Sequence, residues 1–148
     1  MPRYFAYGSN LDEVQLRQRC PGSNLETAGS LRDFQLSFTV HSAGWGAGAA
    51  DIVHCPGGRV WGLVFNLTDE DLRSLDRFEG HPEHYRRFVA RIDTPDGTLD
   101  SWVYAAQRKA AFVAPSRRYV EIIREAAVRH GFPDDYVRML DEVAVVNG

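Results

Sequence analysis

Apolar and polar positions alternate with two different periods along this chain. Tyr4 to Tyr7 is a short apolar run that breaks at Gly8, which predicts a buried strand. Asn10 followed by Glu13 has the spacing of a capping box, and it predicts a helix from about Leu11 to Arg19, stopped by Pro21-Gly22. Phe34, Leu36, Phe38 and Val40 alternate with polar residues, the period of a half-buried strand. Ile52–His54 and Val60–Phe65 flank Pro56-Gly57-Gly58 and predict a hairpin. Thr68 is placed to cap a helix with Leu72, Leu75 and Phe78 on one side, ended by Gly80. Tyr85–Ile92 and Leu99–Ala105 enclose Pro95-Asp96-Gly97, a second hairpin signal. A helix from Ser116 to His130 carries Val120, Ile123 and Ala127 inward and stops at Gly131. Asp134 is expected to cap a last helix through Leu140.

Hairpins imply mainly antiparallel pairing, and the helices are grouped rather than alternating with strands. The predicted class is therefore α+β: a small, mixed, mainly antiparallel curved sheet or barrel wrapped by helices. The 148 residues contain no linker, repeat or low-complexity tract, and positions 1–148 read as one domain. The stretch Ser42 to Ala50, rich in Gly and Ala, is the one anomaly; Trp45 within it suggests a loop lying against something.

Hydrophobic residues at 44% and charged residues at 25% match an ordinary globular protein and exclude a disordered tail or a disulfide scaffold. Lys+Arg 17 against Asp+Glu 20 leaves a net charge of −3, with no basic footprint for nucleic acid. Cys20 and Cys55 lack any paired spacing, so they read as reduced thiols in a cytoplasmic protein. No apolar run is long enough for a membrane span or a signal peptide.

Two places carry chemistry. At Tyr7-Gly8-Ser9-Asn10 a strand meets a helix through a glycine, and the free amides there suit a carboxylate or an oxyanion. A simple capped turn is the competing reading, and Tyr4 and Tyr7 beside the turn favour the site. Glu79 stands in the last turn of a helix, where the dipole disfavours its ionised form, with Phe78 beside it. Both effects raise a carboxyl pKa toward that of a neutral-pH acid/base. A solvated residue paired with Arg77 or Arg86 is the alternative, and Asp76 competes for the same role. His81-Pro82-Glu83-His84 lacks a third ligand group, Ser9 lacks the nucleophile-elbow setting, and the glycines at 44, 46 and 48 are not followed by Gly-Lys-Ser/Thr.

Tyr4 to Leu11, Val60 to Phe65 and Leu75-Asp76-Arg77-Phe78-Glu79-Gly80, in this order, resemble the gamma-glutamylcyclotransferase family. Pro115-Ser116-x-x-Tyr119 and Gly131-Phe132-Pro133 extend the likeness over most of the chain. The resemblance implies an enzyme with no metal or coenzyme, acting on a small-molecule γ-glutamyl amide. The substrate's α-amine attacks its own γ-carbonyl and releases 5-oxoproline with an amino acid or amine. It implies Glu79 as general acid/base, and Tyr4, Phe5, Ala6, Tyr7, Gly8, Ser9 and Asn10 with Tyr119 as the substrate-binding set. Asn10 leans the chain toward γ-glutamyl-amino acids rather than glutathione. Relatives acting on γ-glutamylamines or on a γ-glutamyl-protected biosynthetic intermediate stay open. A homodimer is compatible with the likeness, and no residue specifies its interface. A non-catalytic binder of a γ-glutamyl-like ligand is the runner-up, and a purely structural protein is the third reading.

Overall fold

The computed structural model describes residues 1–146. After β1 (Arg3–Ala6) come one 3-10 turn (Ser9–Leu11) and α1 (Glu13–Arg19). The long strands β2 (Asn24–Ser42) and β3 (Ala47–Asn66) follow, then α2 (Asp69–Glu79), β4 (Tyr85–Thr94) and β5 (Gly97–Ala106). α3 (Arg117–Arg129) and α4 (Asp134–Asp141) end the described chain. The strands close into a barrel in the order β1–β3–β2–β4–β5. All pairs are antiparallel except β5 with β1, which meet in parallel at Tyr4 and Trp102. This is the expected α+β class, with the curved sheet fully closed. Phe5, Leu63, Val64, Ile92 and Val103 are among its fully buried side chains, and Leu16 and Leu75 bring α1 and α2 onto the same core.

Four expectations are corrected. Pro56-Gly57-Gly58 is not a hairpin. The register runs from Arg32 opposite Arg59 to Phe34 opposite His54, so residues 55–58 bulge against Asp33 alone. Asp33 and Gly57 take left-handed φ values of 67° and 80°, and the Gly57 amide donates to Asp33 Oδ1 at 3.1 Å. The glycines relieve a wide bulge inside one strand. The reversal comes instead in the Gly/Ala stretch, closed by Ser42 opposite Ala47.

Asn10 is not the helix cap. Asp12 caps α1, its carboxylate accepting from the amides of Val14 and Gln15, because the 3-10 turn intervenes and rotates Asn10 inward to 3% exposure. Phe78 is 59% exposed and does not share the buried face of Leu72 and Leu75. At about 100° per residue, Glu79 projects between those leucines and Phe78 lies about 60° outside. Finally, Pro133 occupies the cap position of α4. Asp134 sits in its first turn without a capping hydrogen bond, where its charge still suits the helix dipole. Thr68 and Asp71 form the reciprocal capping box that starts α2, and Gly80 ends it at φ 65°.

The segment from Gln107 to Ser116 straps the barrel and delivers α3. Lys109 Nζ lies 2.6 Å from the fully buried Asp51 carboxylate, which also accepts from Thr39 Oγ1 and the Ala106 amide. The amides of Ala110 and Val113 donate to the carbonyls of Thr39 and Phe38, and the Gly48 amide donates to that of Ala114. A Cβ at Gly48 would collide with the Val113 carbonyl oxygen. Gly48→Ala should therefore lift the strap, costing about 1–3 kcal/mol and lowering Tm by about 2–10 °C in a thermal melt. Gly44→Ala, whose nearest neighbouring atom would be 3.9 Å away, should melt with the wild type.

Candidate active site

A cavity of about 770 Å³ opens at the end of the barrel where β1, β2 and β5 finish and β3 and β4 begin. Tyr4, Tyr7, Gly8, Ser9, Asn10, Glu79 and Tyr119 line it together. Phe5 and Ala6 do not: both are fully buried in the barrel core and hold the strand in register with Val64 and Leu63.

The turn residues are fixed by a chain of hydrogen bonds. Asn10 Nδ2 donates to Tyr4 Oη at 3.1 Å, while its Oδ1 accepts from Gln15 Nε2 at 3.0 Å and from an Arg19 guanidinium nitrogen at 3.2 Å. Gln15 Nε2 also donates to Ser9 Oγ at 2.9 Å. Tyr7 spends its hydroxyl proton on the Tyr104 carbonyl at 2.6 Å.

Tyr119 crosses from the first turn of α3, where Ser116 caps the helix. Its hydroxyl oxygen accepts two amides, Ser9 at 3.2 Å and Ala50 at 3.0 Å. With both acceptor sites engaged, the phenol proton is left to be donated elsewhere. Burial raises its pKa and the two amides pull the other way, so it stays protonated. Trp45, in the β2–β3 turn, stands edge-on to this ring with centroids 4.9 Å apart. The loop therefore lies against the site, as its tryptophan suggested.

Glu79 ends α2 facing the cavity and is half-buried. Among the described residues it forms no ion pair, so the alternative reading, a solvated residue paired with Arg77 or Arg86, is not what the structure shows. Burial pushes its carboxyl up to about 7; Arg19 pulls it partly back, and the nearby Asp76 adds to the rise. Asp76, one turn earlier, is the opposite case. Burial opposes its charge, but Arg87 grips both its oxygens at 2.8 and 3.2 Å and Tyr104 donates to it at 2.6 Å. These bonds win and hold it below the ordinary carboxylate range. One carboxylate is thus locked as an anion, and the other is poised to exchange a proton near neutrality.

Residue-by-residue reading missed Arg19, Gln15, Tyr85 and Tyr104. Arg19 and Gln15 look like ordinary polar positions of a short helix, and the tyrosines like strand formers. His84 lines the cavity, and its backbone amide donates to the Gly80 carbonyl.

Residues 59–140 match the model of the AIG2-like family. Gamma-glutamylcyclotransferase of Homo sapiens is 33% identical over 148 residues, covering 95% of this chain and 77% of the human one. Its Bos taurus counterpart is 31% identical over 145 residues with the same coverage. A solved structure of a gamma-glutamyl cyclotransferase superposes with a TM-score of 0.91 at 29% identity, covering 99% of this chain and 90% of that one.

Proposed function

The chain belongs to the gamma-glutamylcyclotransferase (AIG2-like) family, and on that premise we propose that it closes a γ-glutamyl amide onto its own α-amine. The products are 5-oxoproline and the released amino acid or amine. The observation that carries the reading is the Glu79 carboxyl, without an ion pair among the described residues and raised to about 7, in one cavity with Tyr4 and the Tyr7–Asn10 turn.

In the bound substrate the neutral α-amine attacks the γ-carbonyl carbon, and Glu79 takes the proton that the nitrogen sheds as the C–N bond forms. The same carboxyl then gives that proton to the departing nitrogen as the original amide bond breaks. One group serves both transfers because its pKa sits near the working pH. Ring closure is intramolecular, so holding the glutamyl chain folded removes a large entropic part of the barrier. The Ser9 amide is already engaged by Tyr119, so the α-carboxylate falls to the amides of Gly8 and Asn10. The free Tyr119 proton is assigned to the carbonyl oxygen, whose negative charge grows in the tetrahedral intermediate. Reduced Cys20 and Cys55 suit a cytosolic setting.

The test is release of 5-oxoproline from γ-glutamyl-amino acids, γ-glutamylamines and glutathione. Product from at least one class is expected. A folded chain that binds these compounds, seen as a raised Tm, yet releases nothing from any of them would be a binder instead.

A further inference from the structure

Two arginines line the cavity, Arg19 and Arg77, and Arg19, the less exposed of the two, is left without a task by the reaction above. Its guanidinium carbon lies 4.8 Å from the centroid of the Phe78 ring, which supports one face. One of its N–H groups is spent on Asn10 Oδ1 at 3.2 Å. Among the described residues it has no carboxylate partner, although it lines the same cavity as Glu79. A guanidinium carries five N–H donors in a fixed fork, so a docking face for a carboxylate remains. Held from below by a ring and from the side by an amide, it loses little side-chain freedom on binding.

The guanidinium bridges the turn and the mouth, with Asn10 Oδ1 on one side and the exposed Phe78 ring on the other. The Gly8–Asn10 turn takes the α-carboxylate of the glutamyl half at the inner end. Phe78, under the guanidinium, is 59% exposed and marks the mouth, and Glu79, at the reacting bond, is its neighbour in sequence. A substrate lying from the turn past Glu79 places its leaving group at the mouth. We infer that Arg19 anchors the carboxylate of the amino acid released by the reaction, and so makes this site discriminate γ-glutamyl-amino acids from γ-glutamylamines. The inference rests on the cyclotransferase reading.

γ-Glutamylalanine and γ-glutamylethylamide differ by that carboxylate alone, and the test compares their kcat/KM in wild type, Arg19→Met and Arg19→Lys. The ratio between them cancels any change Arg19 makes in the ionisation of Glu79, because both substrates meet the same Glu79. Wild type should prefer γ-glutamylalanine, and Arg19→Met should cut that preference by about ten- to a hundredfold, the worth of a charge-assisted pair of hydrogen bonds. Arg19→Lys, which keeps the charge, should recover part of it, with all three proteins folded by thermal melt. An equal loss on both substrates in Arg19→Met would overturn the inference, since it would place Arg19 on the glutamyl half. No preference in wild type would overturn it too, with the activity left standing. Release of 5-oxoproline from neither substrate, nor from any other γ-glutamyl compound, would remove the activity and the anchor together.

Discussion

Glu79→Gln is expected to lower 5-oxoproline release by about 10²–10⁴-fold, the usual worth of a positioned acid/base. The amide has the size and shape of the carboxyl but takes no proton from the attacking nitrogen. The replacement makes few demands on the fold, because Glu79 holds no ion pair among the described residues that glutamine would break. The wild-type rate should carry a matching signature. The base form is the carboxylate, so kcat/KM should rise with pH along a limb centred near 7, where burial has moved the group from 4.5. Stability should move the other way. Between 4.5 and about 7 the folded chain holds a proton on Glu79 that the unfolded chain has lost. Its contribution therefore favours folding at acid pH and is withdrawn as pH rises through about 7. Glu79→Gln should remove that component from the Tm–pH profile, and near-wild-type turnover in a folded variant would take the acid/base role away from Glu79.

Much of this site is legible in the sequence, and the reason is local. The strand, the glycine break and the α2 helix are set by neighbours within a few positions, so their patterns survive in one dimension. The inward aim of Glu79 follows from the spacing of Leu72 and Leu75, and Phe78, although apolar, lies off that face. What failed depended on distant partners. Pro56-Gly57-Gly58 carries turn chemistry, but β2 lies alongside, and Asp33 accepts the Gly57 amide from 24 positions away. The pairing partner turned a reversal into a bulge. Asn10 has good capping chemistry, yet Tyr4, Gln15 and Arg19 bind its side chain inside, and Asp12 is left to cap α1. Asp76 and Glu79 looked alike in the sequence. Only Arg87 and Tyr104, arriving from β4 and β5, separate a locked anion from a titrating acid. Local signals gave the elements, and the closure of the barrel gave each charged group its state.

Tyr119→Phe should damage stability and activity at once, because one oxygen serves both. In the wild type that oxygen accepts the amides of Ser9 and Ala50, and Ala50 is 4% exposed. The Tyr85 hydroxyl donates to the Ala50 carbonyl at 2.9 Å, so the Ala50 residue is held by a tyrosine at each polar end. Phenylalanine leaves two donors without their acceptor, at about 1–3 kcal/mol for each amide that water from the cavity does not reach. The expected fall in Tm is roughly 5–20 °C. The variant also lacks the proton assigned to the carbonyl oxygen, a loss of about 10²–10³ in kcat for one such donor. Gly8 belongs to the same arrangement: a Cβ there would stand 2.8 Å from the Tyr119 hydroxyl and 3.0 Å from Ala50 Cβ. Glycine is thus required at position 8 for close approach to the phenol. The two effects separate by temperature. Assayed well below its Tm, Tyr119→Phe should keep its stability deficit from limiting the rate, so a remaining defect in kcat belongs to the missing proton. Full kcat under those conditions would show that the hydroxyl only ties Ser9 to Ala50, and the carbonyl oxygen would have to be served by another donor.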